Sequence, residues 1–274
     1  MIEFIKIDVF VKDSITPPPF LGSTIRGAFG VALKKVVCIN PSYKCENCFA
    51  VDNCLYYDFF EKKGVFHKFR FDFSLHQDSY DFSLYIFEDT TQRHPYILSA
   101  LHMMLTELGL GVDRKKFEID RIVCNSSEVY KDGEFDLKNI TSKEFEIQSY
   151  HDSIKLSFKT PFRIKHNNRF LRNTPSIEII LRSIYNRYRE LKGLDRAKLP
   201  FEPKAKEILA NTQFKDFGRY SNRQKTKMQL GGVVGDIVYK EVDDMSYRFL
   251  KLGEIIGVGK QTVFGLGKIE VEEI

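Results

Sequence analysis

The chain has no tryptophan, and its 274 residues include only five cysteines, nine prolines and seventeen glycines. Cysteine is too scarce for a disulfide scaffold, and glycine and proline are too scarce for a collagen-like or low-complexity chain. What is left is a globular composition, 43% hydrophobic and 29% charged, whose apolar content also excludes intrinsic disorder. Long hydrophobic runs are missing too. The most apolar stretch, Tyr96 to Gly111, carries His102 and Glu107 and is too short to span a bilayer. Residues Met1 to Asp8 contain no basic segment ahead of an apolar core, so the expectation is a soluble cytoplasmic protein with no membrane partner. The length suits one large domain or two small ones.

The net charge of +5 is unevenly placed: residues 1–150 sum to -4, residues 151–274 to +9, and residues 151–230 alone to +12. A basic C-terminal half points to a polyanionic partner, most simply nucleic acid, although a solvated Lys/Arg surface has the same arithmetic.

The 24 Phe and 13 Tyr fall into periodic segments. Phe69, Phe71, Phe73 and Leu75 alternate with charged and polar neighbours, and Tyr80, Phe82, Leu84 and Ile86 continue the pattern, which predicts a half-buried antiparallel hairpin. Ahead of it lie a strand from Ile2 to Val11 and a helix capped by Ser23 or Thr24 and running to about Val37. Behind it come a helix opened by Pro95 and ended by Gly109 and Gly111, and a strand from Phe117 to Val123.

The second half repeats this order. Ile154, Leu156 and Phe158 predict a strand. A helix begins at Pro175, with Ile177, Ile180, Leu181, Ile184, Tyr188 and Leu191 on one face and Arg182, Arg187 and Arg189 on the others. A basic strand from Arg219 to Met228 precedes Gly231 and Gly232, and Val233 to Tyr239 is expected to pair back on it. A helix near Tyr247 to Ile256 and a strand near Thr262 to Val271 follow. Two β-α-β-β-α-β passes predict an α+β chain of two tandem ferredoxin-like, RNA-recognition-like domains: 1–145, with a cysteine-bearing loop at about 38–54, and 146–274, with a glycine-rich loop at 257–267.

Four of the five cysteines, Cys38, Cys45, Cys48 and Cys54, are spaced C-x6-C-x2-C-x5-C. In a cytoplasmic chain such clustering argues for a metal rather than disulfides. A structural zinc with four thiolates and no open position suits the set, an iron–sulfur cluster is the second choice, and free or oxidised thiols are the third. Cys124, in an apolar strand, reads as core.

Gly257, Gly259 and Lys260 resemble a nucleotide loop only superficially. Glu254 stands where a P-loop needs its first glycine, Gln261 follows the lysine, and Thr262 occupies the third glycine position of a dinucleotide fingerprint. Two readings survive: a tight backbone offering N–H groups to phosphate, or glycines that let a strand pack closely.

The triplets Gly257-Val258-Gly259 and Gly265-Leu266-Gly267, five residues apart, resemble the glycine-rich loop of the RAMP superfamily of CRISPR-associated proteins, in particular the endoribonucleases that process precursor CRISPR RNA (precursor crRNA). Phe20 to Gly30 is similar to the start of that family's first helix. Thr160 to Lys165 is similar to the strand opening its second domain, and Arg219 to Gln224, running into Lys227, to its basic strand. The resemblance implies an antiviral-defence protein that binds CRISPR repeat RNA as monomer or homodimer and cuts precursor crRNA without a metal. The 2'-hydroxyl attacks its own phosphate, leaving a 2',3'-cyclic phosphate and a 5'-hydroxyl.

Arg219, Arg223, Lys225 and Lys227 would track phosphates and Tyr220 would stack on a base. Arg26, at a helix start, His166 and the loop residues Gly257, Gly259, Lys260, Gly265 and Gly267 complete the implied RNA contacts. Catalysis is implied to need a base, an acid and positive charge on the phosphate. Family members commonly supply a His near the first helix. Here the first is His67, and Lys34, Lys35, Tyr43 and Lys44 occupy that region. With ordinary pKa values of about 10, these suit charge stabilisation or acid catalysis better than base catalysis. His67 is the first candidate for a catalytic His and His166 the second. The missing early His supports an alternative, a non-catalytic RAMP subunit holding guide RNA among the subunits of an effector complex. A tandem RNA-recognition-like module outside the superfamily is a third reading.

Overall fold

A computed structural model describes residues 1–147, 149–166, 168–221 and 226–274. The chain forms two compact units, Ile2–Glu144 and Phe145–Ile274 with Met1. Among the described residues no helix is long and apolar enough to cross a membrane.

The first unit runs β1 (Glu3–Val11), α1 (Gly22–Val37), β2 (Phe69–Asp72), β3 (Phe82–Phe87), α2 (His94–Met103) and β4 (Ile119–Cys124). Its antiparallel sheet has the order β2-β3-β1-β4, the ferredoxin-like arrangement. The sequence did not signal β5 (Ser127–Lys131) and β6 (Glu134–Phe135), which extend the sheet beyond β4, or β7 (Lys143–Glu144), which pairs with the start of β1. Phenylalanine fills the core: Phe29 of α1 meets Phe71 edge-on, and Phe59 stacks on Phe69 with ring centroids 4.3 Å apart. Cys124 is buried as expected, and burial pushes its thiol pKa up to about 12.

Two local expectations fail in this unit. Neither Ser23 nor Thr24 caps α1. The buried Leu21 takes the N-cap position, and its carbonyl accepts the N–H groups of Thr24 and Ile25, so hydrophobic anchoring fixes the helix start. The hairpin is shorter than its alternation predicted, and β2 is buried on both faces. Arg70 alternates with phenylalanine as a solvated residue would, yet it is fully buried, 2.9 Å from the Asp72 carboxylate and 4.5 Å from the centre of the Tyr85 ring.

The second unit contains β8 (Ile154–Phe162), β9 (Lys165–His166), β10 (Arg169–Phe170), α3 (Ile177–Leu191), β11 (Lys206–Lys215), β12 (Gly218–Ser221), β13 (Thr226–Gln229), β14 (Gly232–Lys240), α4 (Asp244–Ile256) and β15 (Ile269–Glu273). The main sheet, β11-β14-β8-β15, repeats the ferredoxin-like order, while β9–β10 and β12–β13 are separate hairpins. The basic segment from Arg219 is therefore not the partner of β14, which pairs with β11 from Lys206↔Lys240 to Lys215↔Gly232. As an edge strand β11 is largely exposed, so it carries little of the alternation that marks a strand in sequence.

The helices of this unit are capped by side chains: Ser176 accepts the Ile179 N–H and Asp243 accepts the Ser246 N–H. Arg187, expected on an outer face of α3, is buried along with Ile180, Leu181, Ile184 and Leu191. The final strand starts at Ile269 rather than near Thr262, because Thr262–Phe264 forms a 3-10 turn inside the glycine-rich loop.

Candidate nucleic-acid interface

The glycine-rich loop joins α4 to β15 and folds against the end of β8. Gly257, Gly259, Gly265 and Gly267 all have φ between 71° and 75°, and all four are buried. A Cβ on Gly267 would stand 1.8 Å from the Val258 carbonyl oxygen, and one on Gly259 would stand 2.6 Å from the Arg163 carbonyl oxygen. The N–H groups are committed inside the protein. Gly257 donates to Gly253 O, Gly259 to Ser183 Oγ, Lys260 to Arg163 O, Gly265 to Thr262 O and Gly267 to Pro161 O. Thr160, fully buried, braces the far end: its hydroxyl donates to Gly265 O and accepts from Lys268 N, both at 2.8 Å.

The reading in which these glycines present their N–H groups to phosphate is thereby corrected in favour of close packing. What the loop offers an anion is the exposed Lys260 side chain. Thr160 and Ser183 are essential to its shape, but nothing in sequence ties them to glycines about 80 or more residues away.

Arg163 connects this loop to its surroundings. Its carbonyl accepts from Lys260 N at 2.7 Å, its Nη1 donates to Gly231 O at 2.7 Å, and its guanidinium lies 3.6 Å from the centre of the Phe170 ring. Burial lowers its pKa and Asp216 opposes the shift, and an arginine remains charged throughout. Close approach places both glycines here: a Cβ on Gly232 would meet the Phe162 carbonyl oxygen at 2.6 Å, and one on Gly231 would meet the Phe214 ring at 2.5 Å. Beside this frame His166 is exposed on β9, and β12–β13 places Tyr220 opposite Lys227 in register, with Arg219 on the same strand as Tyr220. Arg223 and Lys225 lie outside the described residues.

The candidate catalytic residues belong to the first unit. Lys34 Nζ lies 4.8 Å from the centre of the Tyr56 ring, Tyr56 stacks on Phe60, and the Arg26 guanidinium lies 4.8 Å from the Phe60 ring centre. Arg26, Gly30 and Lys34 share one face of α1, and a Cβ on Gly30 would sit 2.7 Å from the Phe60 ring. A single helical turn, Tyr57–Glu61, links this stack to His67, whose Nδ1 is 2.7 Å from the Asp58 carbonyl oxygen. Lys35, Tyr43 and Lys44 are exposed, the last two in the loop after α1. Sequence reasoning missed Tyr56 and Asp58, for which the only signal was their nearness to His67 along the chain.

Cys38, Cys45, Cys48 and Cys54 are all half-buried and none forms a disulfide. Burial raises the Cys45 thiol pKa, the Lys34 ammonium opposes that, and Glu61, Cys54 and Cys38 add to it. Among the described residues no three Cys, His, Asp or Glu side chains are gathered to hold a metal ion. The four sulfurs are the donors zinc prefers, but this arrangement does not assemble them into a site.

Comparison with known proteins agrees with this organisation. Residues 156–269 match the family described as CRISPR-associated endoribonuclease Cas6, and residues 2–145 match a family described as the AF_1859_N N-terminal domain. An uncharacterized protein of Archaeoglobus fulgidus is 29% identical, with 91% of each chain covered. The fold is shared with a Cas6 product complex (14% identity, TM-score 0.58, 98% of each chain). It is also shared with Thermus thermophilus Cas6 (12% identity, TM-score 0.56, 99% of this chain and 98% of that one) and with a Cas6-related protein from Pyrococcus furiosus (13% identity, TM-score 0.52, 100% and 99%). Fold and matches define the class, a RAMP-type CRISPR-associated protein with a Cas6 domain in its second unit. Within that class the chain belongs to the family marked by the AF_1859_N N-terminal domain, which takes in more than half its length.

Proposed function

We propose that the chain binds CRISPR repeat RNA through the cations of its second unit and cuts precursor crRNA by attack of a 2'-hydroxyl on the adjacent phosphate. The observation that carries the chemistry is the His67–Asp58 contact. A carbonyl oxygen only accepts, so Nδ1 holds a proton, and in the neutral ring Nε2 is then the nitrogen that can accept one, as a general base must. Lys34 and Lys35 then act as positive charge for the phosphorane-like transition state rather than as bases. No step requires a metal. Labelled repeat RNA incubated with EDTA should be cut at one position to a 2',3'-cyclic phosphate, and His67→Ala should slow cutting by about 10²–10⁴-fold. Stable binding without cutting would favour the non-catalytic RAMP subunit instead.

For the cysteine segment we propose, from donor chemistry and spacing, that a zinc ion draws Cys38, Cys45, Cys48 and Cys54 together. It would act as a clip for a loop held by short turns and by Asn40 hydrogen bonds to Ser42 and Lys44.

A further inference from the structure

We propose that Phe170 is a nucleobase-stacking site, held in place by Arg163, on the basic surface of the second unit. This rests on the reading that the chain binds RNA, and it adds the residue that would engage a base. Phe170 is 37% exposed at the end of a two-residue strand, where it serves no core. A single exposed aromatic is ordinary on a protein surface, and it becomes a binding position only when a charged site is built around it. Here it is. Arg163 lies 3.6 Å from the ring centre and is itself fixed at both ends, by Gly231 O at its guanidinium and by Lys260 N at its backbone. The ring is therefore pre-organised, which reduces the ordering cost of binding.

The charge around it selects the partner. No acidic residue occurs between Asp152 and Glu178, whereas Lys155, Lys159, Arg163, Lys165, Arg169 and Arg172 all fall there. Lys155 and Lys159 are paired with Glu272 and Glu270 of β15, and Arg172 lies over Phe214. Among the described residues no carboxylate pairs with Lys165 or Arg169, both exposed and both on the hairpin that carries Phe170. Lys165 Nζ lies 5.4 Å from the ring centre, within reach of a phosphate flanking a stacked base. Asp216 acts on Arg163, and an aromatic ring flanked by Lys165 and Arg169, which no carboxylate among the described residues pairs with, is the chemistry of a single-stranded RNA groove.

The absence of tryptophan makes the test clean, because Phe170→Trp introduces the chain's sole indole. Titrating this variant with single-stranded repeat RNA should quench its fluorescence along the same curve that filter binding gives. Phe170→Ala and Phe170→Leu should each weaken binding about 5- to 150-fold, the fold-change equivalent of about 1–3 kcal/mol per stacked base. Leucine matters here because it keeps apolar bulk and loses the π face. If wild type binds while the indole is unmoved and both truncations bind normally, stacking at Phe170 is wrong and RNA binding stands. If wild type does not bind repeat RNA, the RNA reading falls and takes this site with it.

Discussion

Alanine at Gly267 should destabilise the second unit far more than alanine at Gly193, although the two glycines have almost the same backbone, φ +71° and +72°. At Gly193 an added Cβ meets nothing within 4 Å, so the cost is the left-handed conformation alone, about 1–2 kcal/mol. At Gly267 the Cβ would stand 1.8 Å from Val258 O, and the loop has to move. Movement breaks the bonds Val258 N to Gly267 O and Gly267 N to Pro161 O, each worth about 1 kcal/mol. It also loosens Val258 and Leu266, both fully buried, for about 1 kcal/mol more. The sum is about 4–5 kcal/mol, and at about 3 °C per kcal/mol Tm should fall by roughly 12–15 °C, against about 5 °C for Gly193→Ala. Thermal melts of both variants, followed by circular dichroism with parallel urea titrations, measure the difference. Equal losses in the two would refute the claim that close approach, rather than φ, makes this glycine necessary.

Two further outcomes follow from the caps and the cysteines. Asp243→Ala should cost about 1 kcal/mol by uncapping α4. Burial pushes the Asp243 carboxyl up, but bonds from Ser246 and from the N–H groups of Lys204, Ser246 and Met245 outweigh it and hold the folded pKa below the ordinary 3.8. A lowered folded pKa means that the stabilisation is complete above the unfolded value and disappears as pH falls through the folded one. The gap between wild type and variant in urea titrations should therefore be constant near neutrality and shrink below about pH 4. Protein purified anaerobically should carry one zinc per chain, lost in Cys45→Ser with Cys48→Ser. Elemental analysis finding no zinc in the wild type would end the zinc proposal, and finding neither zinc nor iron would refute any bound metal.

The elements legible in sequence were those whose apolar residues keep a regular period. Ile180, Leu181 and Ile184 announce α3 by their spacing, and Phe69, Phe71, Phe82 and Leu84 announce the first hairpin. The same reasoning failed at Arg70 and Arg187, both buried, because period reports polarity and an arginine reads alike whether it faces water or, like Arg70, a buried carboxylate. β11 escaped for the opposite reason, since an edge strand exposed along most of its length has too little buried face to show a period. At the candidate interface, composition located the basic half and the glycine triplets located its loop. The partners that give the loop its shape, Thr160, Arg163 and Ser183, come from other strands and helices, and long-range contacts leave no mark in a local window.

The anchoring of the glycine-rich loop also sets how this surface can evolve. Arg163, Gly231 and Gly259 belong at once to the basic face and to the packing that keeps the unit folded, so a change at any of them is first a change in stability. Lys165, His166 and Arg169 are exposed beside that frame and carry little of it. Substitutions there should cost little stability, so the outer side chains can change with the ligand while the frame beneath them stays as it is.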